Sequence, residues 1–418
     1  MRTAFCPRPL SEVSRWAARV LAVSLLAGGC AWRSKADHLA TPPVTLEEAT
    51  ELVPPEVKER DGWARDVLAA LEANRVHPDE EAVCSVLAVI EQESGFDPNP
   101  GVPDLARIAR EQLEEKAREF GPMGEKATEK LLEGTARGST RTFGERLKSV
   151  RTERDLDRLF RDMLDYYRSE FPTAYALVNL ASSAGGRGGV EAMNPITTAG
   201  CMQVSVRYAL ELARKENPNA SEWDVRERLY TRAGGVFFGT SRLLDYEVNY
   251  EDPLYRFADY NAGRYASRNA ALQEQLADLI GRKLALDGDL LAYDAGGEPS
   301  REDSRTLQAF VEFAAKYVPA LTEADIRRDL LKEKSLELEQ TLTWRSLKKA
   351  WELKHGAPAP YARLPDVALR SPKMKKERST EWFARAVDRR FRACLARGRT
   401  AERGPLQPPS NGALARPR

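Results

Sequence analysis

The sequence predicts a mainly α protein. From about residue 58 onward apolar residues recur at three- and four-residue spacing. Glycine and proline punctuate those runs at helix-length intervals, and no segment alternates as a half-buried strand does. The 418 residues allow one large domain or two smaller ones. With 42% hydrophobic and 30% charged residues the composition is that of an ordinary globular chain. A net charge of +1 leaves no global basic field, which argues against nucleic acid as a partner.

In chain order, Arg2, Arg8, Arg15 and Arg19 precede an apolar run from Val20 to Gly29 that is too short to span a bilayer. Residues 1–29 therefore read as a secretory signal. The small residues Ala27, Gly28 and Gly29 before Cys30 resemble a lipobox. That resemblance implies cleavage before Cys30 and lipid on its thiol; Ala31 after it favours the periplasmic face of an outer membrane. A plain signal peptide with an incidental Cys30 is the alternative. Residues 30–57, with Pro42, Pro43, Pro54 and Pro55, read as a polar tether.

Trp63, Val67, Leu68 and Leu71 predict the first helix, and His77-Pro78-Asp79 ends it. A second runs from Ala82 to Ser94 and stops at Gly95. A charged helical stretch follows at about 103–190, with Leu156, Leu159, Phe160, Met163 and Leu164 on one face. The run Gly185-Gly186-Arg187-Gly188-Gly189 lacks the strand and the Gly-Lys-Ser/Thr of a phosphate loop. Further helices are expected after Met202 and at about 221–231, 234–247, 303–317, 323–353 and 378–396, with a disordered tail over 398–418. Arg385, Arg389, Arg390 and Arg392 form either a solvated helix face or an attractor for anionic lipid or envelope polymer.

His38, His77 and His355 are far apart, and no His/Cys cluster has metal-ligand spacing, so neither a metal site nor a cofactor is expected. With Cys6 in the signal and Cys30 at its end, Cys84, Cys201 and Cys394 remain. A Cys84–Cys201 bridge is permitted in an oxidising compartment, beside the plainer reading of two small buried residues.

Glu93 is the candidate acid. Glycoside cleavage needs a carboxyl that stays protonated near neutral pH, and an apolar wall raises its pKa. Glu93 shares a helix face with Ala82, Val86 and Val89 and sits in the last turn, where the helix dipole disfavours its anion. Glu91 lies about 200° round the helix and reads as a surface or ion-paired carboxylate.

Three motifs then carry a resemblance. Glu93-Ser94-Gly95-Phe96, Ala199-Gly200-Cys201-Met202-Gln203 and Ala258-Asp259-Tyr260-Asn261-Ala262-Gly263 stand in the order of the Glu-Ser-x-Phe, Gly-Leu-Met-Gln and Ala-Tyr-Asn-Ala-Gly motifs of lytic transglycosylases with the goose-lysozyme-like fold. Cys201 replaces Leu, Asp259 is inserted before Tyr260, and 110 residues (203 − 93) separate Glu93 from Gln203. The resemblance implies a lysozyme-like helical domain over 58–275, a helical insertion at about 103–190 and a helical extension over 276–397. It implies Glu93 as lone general acid and base, Ser94 beside the scissile sugar, Met202 and Gln203 lining the cleft, Tyr260 holding Glu93, and Asn261 on the glycan. The implied partner is the peptidoglycan glycan strand, cut between N-acetylmuramic acid and N-acetylglucosamine to leave a 1,6-anhydro end. The insertion would flank the cleft, and the C-terminal helices would pack on the domain or meet an envelope protein. A scaffold that binds peptidoglycan without efficient chemistry, and a goose-type hydrolase, are the alternatives.

Overall fold

The computed structural model describes residues 41–118, 121–184, 189–294, 297–369 and 377–403. The signal segment, Cys30, residues 185–188, residues 370–376 and the tail beyond Arg403 lie outside them. Among the described residues the chain is mainly α, with seventeen α-helices and only two short antiparallel pairs. No helix there is long and apolar enough to cross a membrane.

The segment read as a tether contains α1 (Leu46–Leu52). Thr45 and Glu48 form a capping box at its start, and Ala49, Leu52 and Val53 enter the main core. The prolines that suggest a spacer lie outside the helix, and Val44 N–H donates to the Pro78 carbonyl at 2.8 Å, so the chain is already packed on the domain ahead of Thr45.

The main core is built around α3 (Glu80–Ser94). Val83 to Ile90 are all buried, so α3 is apolar all round and must be covered on every side. Asp79 caps its start and Gly95, in the left-handed conformation at φ 61°, ends it. The covers are α1, α2 (Arg60–Ala73), α11 (Arg232–Leu244) and the long C-terminal α17 (Thr380–Arg403). Phe383, Val387, Phe391 and Cys394 of α17 belong to the same core, so the helix expected in the extension completes the central one.

Cys394 is bonded to Cys84, across 310 residues, with 5.5 Å between their Cα atoms. This overturns the Cys84–Cys201 pairing. Cys201 is a buried free thiol, and burial pushes it up to about 12. The sequence separation of the cysteines says nothing about α17 folding back onto α3, which is what selects the pair.

Two satellite cores flank the first. The inserted segment holds α4 (Leu105–Arg118), α5 (Gly121–Glu133), α6 (Phe143–Leu147), α7 (Glu153–Glu170) and α8 (Pro172–Ala184). Leu105, Leu132, Phe143, Leu156 and Leu159 pack among them, closed by Ile196. The α13 (Ala266–Ile280), α14 (Arg305–Tyr317), α15 (Glu323–Leu330) and α16 (Leu342–His355) helices enclose Leu276, Phe310, Phe313 and Leu347.

The continuous helix expected over 323–353 is two helices. Between them the buried Arg268 guanidinium donates to the carbonyls of Glu333 at 2.7 Å and Ser335 at 2.9 Å. A tertiary donor thus takes carbonyls that a helix would have used.

Candidate active site

Four chain segments meet at the end of α3. The first is its last turn, which carries Glu93 and Ser94. The second is a hairpin, β1 (Thr198–Ala199) and β2 (Val204–Ser205), whose turn is Gly200 to Gln203. The third is α12 (Leu254–Ala262), which carries Tyr260 and Asn261. The fourth is the start of α7, which brings Glu153 out of the insertion.

Glu93 is partly open to solvent, yet enough protein surrounds it to raise its carboxyl to about 8, chiefly through burial and then through the negative charge of Glu153. It is therefore a proton donor at neutral pH. The local chain is held in unusual backbone: Phe96 and Gln203 both take left-handed φ, 66° and 49°.

The hairpin turn dictates its own sequence. Gly200 has φ 80°, and a Cβ there would lie 2.1 Å from the Leu229 carbonyl oxygen. The Met202 side chain is fully buried, at 0% exposure, so it packs in the core instead of lining a cleft as the resemblance implied. Gly239 of α11 makes the room: a Cβ there would come within 2.1 Å of Met202 Sδ and 2.7 Å of its Cβ. Gly239→Ala is expected to cost about 1–3 kcal/mol by overpacking, read as a lower midpoint in denaturant, although alanine is the better helix former.

Tyr260 is buried, and its phenol donates to the Met202 carbonyl at 2.6 Å instead of to Glu93. Burial, helped by the charge of Glu93, keeps that phenol protonated. It thus pins the hairpin turn to α12 beside the acid. Ser94 turns back on its own helix, donating to the Ile90 carbonyl at 3.1 Å, so its hydroxyl proton is engaged there. The Asn261 side-chain oxygen accepts from Thr380 Oγ1 at 2.9 Å, which ties α12 to the start of α17. Gln203 accepts from Thr198 Oγ1 at 3.0 Å and donates to Glu153 Oε2 at 3.0 Å.

Asp259, the residue inserted in the third motif, is buried. It accepts from the Tyr250 hydroxyl at 2.6 Å and from the backbone N–H groups of Ser267 and Tyr265 at 2.7 and 2.9 Å. It shapes the turn into α13 and takes no part in the acid's surroundings. Among the described residues, no three His, Cys, Asp or Glu side chains gather closely enough to hold a metal ion.

Glu153 escaped sequence reasoning. In the sequence it is an ordinary acid in the first turn of a charged helix, and only the closure of the insertion brings it to Glu93. Two open grooves of about 630 Å³ lie elsewhere, one beside Val44, Leu68 and Val76, the other beside Leu279, Leu342 and Leu353. Their walls are mainly aliphatic, whereas the end of α3 combines a carboxyl of raised pKa with fixed polar groups, which makes it the candidate site.

Residues 56–397 match a family model described as protein of unknown function DUF1615. The chain belongs to the DUF1615 family. It is similar to the uncharacterized protein YaiW of Escherichia coli (strain K12), 37% identical over 343 residues, which span 82% of this chain and 87% of that protein. No solved structure matches. The family model runs through the insertion and to Arg397, and so takes in all four segments at the end of α3 and the Cys84–Cys394 pair.

Proposed function

We propose that this member of the family is an envelope lipoprotein, anchored through Cys30, that cleaves the β-1,4 bond between N-acetylmuramic acid and N-acetylglucosamine with Glu93 as its acid. The observation that carries the reading is Glu93 itself: a carboxyl raised to about 8 at a helix end, walled by the hairpin turn and by α12, with Tyr260 binding one to the other. Three motifs far apart in the chain meet around that one group.

Protonated Glu93 gives its proton to the bridging oxygen as the bond from the muramoyl C1 breaks, freeing the N-acetylglucosamine hydroxyl. The carboxylate left behind takes the proton of the muramoyl 6-hydroxyl as that oxygen bonds to C1. This returns Glu93 to its acid form and leaves a 1,6-anhydro end without consuming water. Burial serves the first half-step and the proximity of the substrate hydroxyl serves the second.

The Cys84–Cys394 bond fits an exported protein, since cytosolic thiols are kept reduced. Mass spectrometry of purified sacculi after incubation with the protein tests the reading. Anhydromuramoyl ends are expected. New reducing ends would favour hydrolysis, and unchanged sacculi would leave a binding protein.

A further inference from the structure

We propose that Glu153 is a positioning residue of the Glu93 site: it anchors the Gln203 side chain and turns its carboxylate on the acid, so that the inserted helices govern how Glu93 holds its proton. This rests on the reading of Glu93 as the acid.

The placement of Glu153 is determined several times over. Gly101 and Thr152 pair as an isolated antiparallel bridge, and Val102 N–H donates to the Arg151 carbonyl at 2.9 Å. The excursion through α4, α5 and α6 therefore leaves and returns at one point, a few residues beyond Glu93. Thr152 then starts α7 through a capping box with Asp155. One turn further on, Asp157 is buried against Arg226 at 3.0 Å and accepts from Asn194 at 2.5 Å and Tyr230 at 3.2 Å. Arg154 and Arg158 both reach Glu227 of α10 (Glu222–Leu229), at 2.7 and 3.0 Å. With the first turn of α7 clamped in this way, Glu153 is left 4% exposed, its Oε2 accepting from Gln203 Nε2 at 3.0 Å. Gln203 sits in left-handed backbone in the hairpin turn, and this contact joins that turn to the insertion.

The groups around Glu93 can be named element by element. Glu153 comes from α7 and the Tyr260 phenol from α12; the Cys201 thiol of the hairpin, Tyr208, and Arg242 of α11 stand around Tyr260, and Arg242 donates to the Tyr260 carbonyl. Glu91, on the other side of α3, is paired with Arg390 of α17 at 3.3 Å. Glu153 is the charge that acts on the Glu93 carboxyl directly.

Glu153→Gln separates the two roles, because the amide oxygen still accepts from Gln203 while the charge is gone. In the full chain labelled with ¹³C at glutamate carboxyls, Glu93→Gln identifies the resonance that titrates near 8. In Glu153→Gln that midpoint is expected to fall by about one pH unit or more, remaining above an ordinary glutamate because burial persists. The alkaline limb of sacculus cleavage should fall with it, which a merely structural residue would not cause. Glu153→Asp keeps the charge and shortens the reach. It should leave the midpoint near 8 while the Gln203 amide protons exchange faster. An unmoved midpoint in Glu153→Gln, or a fallen one in Glu153→Asp, overturns the proposal. Failure of the wild-type protein to cut sacculi would remove the proposed activity and leave the titration result standing.

Discussion

Glu93→Gln is expected to lower the rate of glycan cleavage by roughly 10²–10⁴-fold, because a glutamine amide of nearly the same shape has no proton to give. Sacculus binding should survive, since the substitution leaves the walls of the site in place. Wild-type cleavage should be lost as pH rises through about 8, where Glu93 ionises. The same variant should be more stable than the wild type. The folded protein raises this carboxyl from 4.5 to about 8, so between those values the unfolded chain has released a proton that the folded chain keeps. Stability from this group is intact below pH 4.5, declines as pH rises from there, and levels off above 8. The gain in melting temperature on Glu93→Gln should thus be larger at pH 8 than at pH 5. Equal cleavage by variant and wild type would end the catalytic reading, and a variant less stable at pH 8 would contradict the burial of the acid.

Reduction of the Cys84–Cys394 bond, or Cys394→Ser, is expected to cost about 6 kcal/mol in the chain-entropy account, because the bond closes nearly the whole domain. For a chain of this size that corresponds to a melting temperature roughly 5–10 °C lower. Thermal unfolding with and without reductant measures it. The wild type should respond to reductant and Cys394→Ser should not. The covering of α3 by α17 rests on Phe383, Val387 and Phe391 as well, with Phe391 edge-on to Phe257 at 5.6 Å between ring centres, so the reduced protein should still fold. An unchanged melting temperature on reduction would show that this packing already holds α17 without the covalent link.

What the sequence made legible was local. The face of α3, its stop at Gly95 and the helical character of nearly every later segment follow from spacing and capping. The place of Glu93 in the last turn of α3 follows from the same spacing, while its role as an acid rests on the motif. The side-chain roles were less so, since donors choose among partners only once the chain is folded. Tyr260 took a backbone carbonyl, Ser94 its own helix and Asn261 a threonine of α17. Glu153 stands 60 residues (153 − 93) beyond Glu93 and arrives through the Gly101–Thr152 pairing, which no periodicity encodes. Thr45 and Glu48 spell a capping box in the sequence, but the prolines on either side have the composition of a spacer. The break after Leu330 depends on Arg268 supplying donors from another helix.

The wrap of α17 around α3 also sets an order of events. A chain growing from its N-terminus presents Val83 to Ile90 early, but the side of α3 that meets Phe383 to Cys394 stays bare until those residues, about 300 positions later, have been made. Contacts of such long range form slowly and late. A ribosome stalled or a message truncated ahead of residue 380 would release a chain whose central helix is still oily on one flank, material for chaperones and proteases.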